Sequence, residues 1–354
     1  MTRRKLIVFA FGTMVLAVSG TLIVLLAADL YVHSRAERSA GMNRWGYRGP
    51  VAPRKQPGEV RMVMLGGSTT FGYGVRWDES IPALLEARLR ALEGGAKFRT
   101  INLGFNNEGA YASVPTLEDY GWLDYDIVAL YHGYNDSLGD AEVNTAVIRH
   151  QSPVFRLTGY FPILPLALQE KAMALRTGGN LEAAYKSAGE GTAPAVTFRP
   201  NMAQRTSAAV LESLSNAAHA AARQLEGIAA ESTPQPASNE SGCQSPWIRF
   251  CDSIYRAVKY ARERGIGVLV IGQPTGQHGD YWARLDDQRA RLAGMMERHF
   301  GNDRGVLFVD VSRAVDPTDP AMSFDGMHLV AAANGKVADA LVDPVIRLAR
   351  RLGK

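Results

Sequence analysis

Four short stretches of this chain hold residue types suited to attack on an acyl carbonyl. Ser68 lies in Gly66-Gly67-Ser68-Thr69-Thr70, between an apolar, β-rich run, Val60–Leu65, and a helix-like run from Asp78 onward. At a glycine-flanked strand-to-helix turn a serine exposes its Oγ at the carboxyl end of a sheet. Its backbone N–H points into the same space, where an oxyanion would form. A serine nucleophile needs a base, and imidazole suits neutral pH. It also needs a carboxylate to fix the imidazole tautomer. Asp325 and His328, in Asp325-Gly326-Met327-His328, are close enough in a tight turn for the carboxylate to reach Nδ1 and leave Nε2 toward Ser68. Asn102-Leu103-Gly104-Phe105-Asn106 and Gly133-Tyr134-Asn135-Asp136 each follow an apolar run. With the Ser68 N–H, the Gly104 N–H and the Asn135 amide supply candidate donors to the oxyanion. Glycine at 104 lets the backbone approach a substrate closely.

Each residue also has a plainer reading. Ser68 can be a turn serine, Gly104 a tight strand exit and Asn135 an Asx-turn residue. It is the four stretches in this order that give the chemical reading its weight. They resemble the four blocks of the SGNH/GDSL-type hydrolases, named for Ser, Gly, Asn and His. Gly66-Gly67-Ser68 resembles the first block, Gly104 the second, Gly133-Tyr134-Asn135-Asp136 the third and Asp325-Gly326-Met327-His328 the fourth. The similarity spans residues 60–136 and 247–350. It implies a flavodoxin-like α/β/α sandwich with a five-stranded parallel sheet of order 2-1-3-4-5, and acyl-ester hydrolysis or transfer; no cofactor is expected. The chain departs from the family where the first block usually reads Gly-Asp-Ser, since Gly67 replaces the aspartate.

The elements that must position these residues follow from hydrophobic patterning. Strand-like runs are expected at Val60–Leu65, Phe98–Phe105, Asp126–Tyr131, Gly267–Gly272 and Val306–Val311. Helical patterns cover Asp78–Leu92 with Asp78 as its cap, Trp247–Arg264, Tyr281–Phe300 and Leu329–Leu352. Short, almost wholly apolar strands alternating with helices argue for a parallel sheet buried on both faces. Residues 31–59, rich in Arg, Gly and Pro, read as a linker, and 60–354 as the catalytic domain. Residues 137–246 read as an insertion that the sandwich does not require. In it Ala167–Arg176 and Met202–Ser232 look helical, and the insertion is either a lid beside the site or a peripheral decoration.

The N-terminus differs from the rest. Thr2-Arg3-Arg4-Lys5 precedes an uncharged run, residues 6–28, that ends at Asp29. At 1.5 Å per residue this run is about 35 Å long, enough to cross a bilayer. Residues 1–30 therefore read as a membrane anchor. The basic cluster holds its start in the cytoplasm and places the catalytic domain on the periplasmic or extracellular side. A cleaved signal peptide, cut after Ala17-Val18-Ser19, is the competing reading, but the apolar run continues past that point.

The remaining chain excludes several classes. The formal charge of +4 is spread over Arg-rich helical faces, which reads as solvated surface and not as a nucleic-acid patch. No metal-ligand spacing appears. Gly72-Tyr73-Gly74 lacks the third dinucleotide-binding glycine, and no Gly-Lys-Ser/Thr of a phosphate loop exists. The two cysteines, Cys243 and Cys251, are expected to form a disulfide, with two separate buried thiols as the alternative. His132 reads as a core residue beside the third block and Asp136 as a buried structural partner. The partners expected are an ester-bearing lipid, glycan or small molecule, with the membrane contacted through residues 6–28. Hydrolysis is the leading reaction. O-acyl transfer or deacetylation on envelope polysaccharide or lipid is one alternative, and a non-catalytic acyl-glycan-binding module is another.

Overall fold

The computed structural model describes residues 2–39, 41–92, 97–177 and 239–354. The strands are β1 (Glu59–Gly66), β2 (Lys97–Asn102), β3 (Ile127–Tyr131), β4 (Gly267–Gly272) and β5 (Val306–Asp310). The helices described are α1 (Arg3–Ser39), α2 (Ser68–Phe71), α3 (Ile81–Ala91), α4 (Ser113–Asp119), α5 (Pro153–Thr158), α6 (Leu164–Thr177), α7 (Ile248–Glu263), α8 (Asp280–Phe300) and α9 (Ala331–Arg351). The chain divides into two compact units. One comprises Met1–Arg38 and Ser152–Glu231, the other Ser39–Gln151 and Ser232–Lys354.

The larger unit holds the sheet. All pairings are parallel, in the order β2-β1-β3-β4-β5. This is the arrangement expected from the four blocks. Gly66 pairs with Tyr131 and Met64 with Asn102, so the carboxyl ends of β1, β2 and β3 lie side by side. β1, β3 and β4 are buried along their whole length, which is why they read as unbroken apolar runs. Successive side chains point to opposite faces. Met62, Met64, Ile127, Ala129, Leu269 and Ile271 join Leu85 and Leu89 of α3 and Val337, Leu341 and Val345 of α9 in one core. α7 packs along β4 and buries Phe250, Ile254, Ala257, Val258 and Ala261.

Several boundaries differ from the sequence expectation. α3 begins at Ile81 with Ser80 as N-cap, not at Asp78, because Pro82 in its first turn needs no hydrogen-bond acceptor there. β2 ends at Asn102, although the Leu103 and Phe105 N–H groups still donate to the Met64 and Gly66 carbonyls of β1. Residues 31–59 are not a linker. Residues 31–39 continue α1, and beyond them Tyr47 is fully buried and Arg48 nearly so. Arg48 donates from its backbone to Asn102 O and from its guanidinium to Phe71 O, Gly72 O and Val75 O. A buried guanidinium needs acceptors, and three carbonyls at the end of α2 and in the turn after it supply them.

The insertion expected at 137–246 is also narrower at both ends. Residues 139–151 belong to the sheet unit, where Arg149 pairs with Glu108. Residues 239–246 belong there too, and Cys243 is disulfide-bonded to Cys251 of α7. The expected helix at 167–176 starts earlier, at Leu164. That at 202–232 lies outside the described residues.

In the smaller unit, α1 is long and apolar enough to cross a membrane. Its side chains from Leu6 through Leu26 are largely exposed.

Candidate active site

The turn that carries Ser68 is built by crowding. β1 ends at Gly66, Gly67 caps α2, and Ser68 is the first residue of that short helix. A Cβ on Gly66 would stand 1.9 Å from Thr70 Oγ1 and 2.4 Å from Tyr131 O. On Gly67 it would stand 2.2 Å from Asn135 Nδ2. Both positions are therefore crowded against an added side chain in this structure. Asn135 occupies the space that a side chain would enter. As the first residue of α2, Ser68 has a backbone N–H with no acceptor inside the helix.

His328 Nε2 lies 2.8 Å from Ser68 Oγ, and His328 Nδ1 lies 2.5 Å from Asp325 Oδ2. Asp325 Oδ1 accepts from the backbone N–H of His328 at 2.7 Å and of Met327 at 3.0 Å. Gly326 makes this tight loop possible at φ +84°. Burial raises the Asp325 carboxyl, but the hydrogen bonds from the His328 ring and from two backbone N–H groups outweigh it and hold it at about 2. An ionised Asp325 keeps the proton of a neutral imidazole on Nδ1, so Nε2 accepts from the Ser68 hydroxyl. Tyr73 lies 4.9 Å from the His328 ring, and Phe324 stacks on it at 6.0 Å. Phe324 is 46% exposed, so an aromatic surface flanks the His328 ring on the solvent side.

The expected oxyanion donors are brought to the same place with different engagements. Asn135 Nδ2 donates to Glu108 O at 2.9 Å, which uses one of its two hydrogens. The Gly104 N–H donates to Asn102 Oδ1 at 3.0 Å. An oxyanion at this N–H would have to share it with Asn102. The Asn102 amide in turn donates to Thr70 O at 2.9 Å and Phe71 O at 3.2 Å, tying the Gly104 loop to α2. A Cβ on Gly104 would meet Phe71 N at 2.6 Å, so the glycine is sterically required.

Sequence reasoning missed the residues that hold this arrangement. Gln273, the residue after β4, is buried. It donates to Thr69 Oγ1 at 3.1 Å and Tyr131 O at 3.3 Å, and accepts from Tyr134 N at 3.0 Å. It thus joins the neighbour of Ser68 to the neighbour of Asn135. Gln288 donates to Gly133 O and Asp136 O. The buried Arg149 donates to Leu103 O at 2.7 Å and Glu108 Oε2 at 3.0 Å, fixing the loop that carries Gly104 and the acceptor of Asn135. None has a local signature, because each pairs with backbone far away in sequence.

Asp136 accepts from Ala110 N through both oxygens, and burial pushes its carboxyl up to about 7 against that hydrogen bond. Its place is structural, as expected. His132 reaches Ser113 Oγ at 3.1 Å and not Ser68, and burial lowers it to about 3, so it is neutral. Among the described residues no group of three or more His, Cys, Asp or Glu side chains is gathered to hold a metal ion.

No family model matches the chain, and no curated protein matches its sequence. Solved structures do match. One described as a lipolytic protein of the G-D-S-L family, from Desulfitobacterium hafniense DCB-2, is 10% identical over 80% of this chain and 98% of its own, with a TM-score of 0.42. Axe2, an acetylxylan esterase from Geobacillus stearothermophilus, is 13% identical over 83% and 94%, with a TM-score of 0.41. Est24, a carbohydrate acetylesterase from Sinorhizobium meliloti, is 14% identical over 82% and 99%, with a TM-score of 0.38. In its four sequence blocks and its strand order, the chain is similar to SGNH/GDSL-type hydrolases.

Proposed function

We propose that the protein is a membrane-anchored serine esterase acting on carboxylic esters outside the cytoplasm. The observation that carries this reading is the continuous chain from Ser68 Oγ through the His328 ring to Asp325, at 2.8 and 2.5 Å. In the first step a bond forms between Ser68 Oγ and the acyl carbon while the serine proton moves to His328 Nε2. Asp325 stabilises the imidazolium. The oxyanion is met by the Ser68 N–H, the second hydrogen of the Asn135 amide and, where it is shared with Asn102, the Gly104 N–H. The bond to the leaving alcohol then breaks, and the alcohol takes the proton from His328 Nε2. Water repeats the sequence in reverse, giving His328 its proton and releasing the acid and free Ser68.

The anchor is α1, with Arg3, Arg4 and Lys5 on the cytoplasmic side and the sheet unit outside. Treatment of the full chain with a fluorophosphonate probe tests the enzymatic reading. Covalent labelling is expected on Ser68, located by peptide mass, and loss of labelling in Ser68→Ala. An unlabelled native chain would refute a serine esterase.

A further inference from the structure

The far end of α1 does more than leave the apolar run. Asp29, the first charge after it, is 4% exposed, and His33, one turn further on, is 3% exposed. Asp29 accepts from Ile163 N at 2.9 Å, from Leu164 N at 2.6 Å and from the Tyr160 hydroxyl. His33 Nε2 lies 2.8 Å from Phe161 O, and its ring meets Tyr160 edge to face. The stretch from Tyr160 to Leu164 is therefore fastened to α1 at two successive levels. Phe155 of α5 packs edge to face on Phe161 at 5.9 Å, which brings α5 to the same place. The opposite edge of α5 carries Val154 and Leu157, 41% and 78% exposed.

The position of this group along α1 follows from helix geometry. Four residues of helix rise about 6 Å, so His33 lies about 6 Å beyond Asp29. The headgroup layer on each side of a hydrocarbon core is about 6 Å thick. Groups tied to Asp29 and His33 therefore lie inside that layer when residues 6–28 fill the core. Tyr31, exposed on α1 between these two levels, is the residue type that settles there.

We propose that residues 153–164 form a collar in the headgroup layer around the exit of α1, with Val154 and Leu157 turned to the lipid. The collar rests on α1 spanning a bilayer. It makes the last turns of α1 an integral part of this unit, since removing them would strip Asp29 and His33 from their partners.

The two cysteines are bonded to each other, so an introduced cysteine is the single free thiol. The test places a nitroxide on Leu157→Cys in the full chain reconstituted into vesicles of phosphatidylcholine with phosphatidylglycerol. Val15→Cys in α1 and Lys259→Cys on the exposed side of α7 serve as references. Leu157→Cys is expected to be about threefold less accessible to a water-soluble nickel chelate than Lys259→Cys, while remaining open to oxygen. A label at 157 as open to nickel as that at 259, with position 15 in lipid, overturns the collar alone. Low access to both reagents would place protein on this edge and overturn it as well. Nickel access at position 15 would show that α1 does not span, and the anchor and collar fail together.

Discussion

Gly67 and Asn135 share one space: a Cβ on Gly67 would lie 2.2 Å from the Asn135 amide nitrogen and 3.0 Å from Glu108 O, the atom that holds that amide. A side chain at 67 and the present placement of Asn135 thus compete for the same space. Gly67→Ala must push the amide away from the space beside Ser68. Loss of a single oxyanion donor costs about 10²–10³ in rate. A displaced donor is expected to lower kcat by about 10- to 100-fold, with KM little changed. Steady-state kinetics on p-nitrophenyl acetate, with far-UV circular dichroism to confirm folding, checks this.

Asp325 is expected to stay ionised throughout the working range. Its carboxyl is held at about 2, below the ordinary 3.8, so the stability it contributes is complete above about pH 4 and is lost as pH falls toward 2. Asp325→Asn presents an amide donor to Nδ1 and moves the ring proton to Nε2, where it blocks acceptance from Ser68. A fall in kcat of about 10⁴ is expected, with the fold kept. Carboxyl-carbon NMR should show no titration of Asp325 between pH 4 and 8, and a resonance titrating in that window would contradict this electrostatic assignment.

Asp136 gives the opposite sign. Its folded carboxyl lies at about 7 against an ordinary 3.8, so the folded state holds a proton that the unfolded chain has lost. The stability it contributes is complete below about pH 4 and declines as pH rises through 7. Asp136→Asn removes that slope. Urea midpoints measured from pH 5 to 8 should fall for the native chain and stay flatter for the variant, which should be the more stable of the two at pH 8.

What was legible in the sequence is what chemistry restricts to few residue types. Ser68, Asp325 and His328 stand in short motifs whose spacing already limits how they can meet, and β1, β3 and β4 are apolar because both their faces are covered. Arg48 and Gln273 were not legible. Their partners are backbone carbonyls and a hydroxyl brought near only by the sheet order, so nothing adjacent to them in sequence signals a role. The stretch around Arg48 misled for a physical reason: Gly, Pro and Arg compose exposed linkers, yet here the arginine is inward, satisfied by carbonyls at the end of α2 and in the turn after it.

Gln273 links Thr69 to Tyr134, and a side chain of the same size without polar atoms would leave the Thr69 hydroxyl and the Tyr134 N–H unpaired. Gln273→Met is expected to cost about 1–3 kcal/mol of stability. A merely structural role would end there. Because the residue positions Ser68 against Asn135, kcat should also fall by about tenfold at temperatures where the variant is fully folded, with KM unchanged. Equal kcat values for the two proteins would reduce Gln273 to a packing residue.

Arg48 closes the carboxyl end of the short helix that presents Ser68. Burial lowers its guanidinium to about 10, with Asp78 and Glu79 acting in the opposite direction, so it remains charged at neutral pH. Arg48→Met leaves the Phe71, Gly72 and Val75 carbonyls without this donor, and hydrogen bonds to charged groups contribute about 1.5–3 kcal/mol each. A loss of about 3 kcal/mol is expected in urea unfolding, together with slower fluorophosphonate labelling of Ser68 in the folded variant. Arg48→Lys should not restore either quantity, because an ammonium cannot reach three carbonyls in the planar fork that a guanidinium provides. Full rescue by lysine would show that charge alone, and not the fork, braces the nucleophile turn.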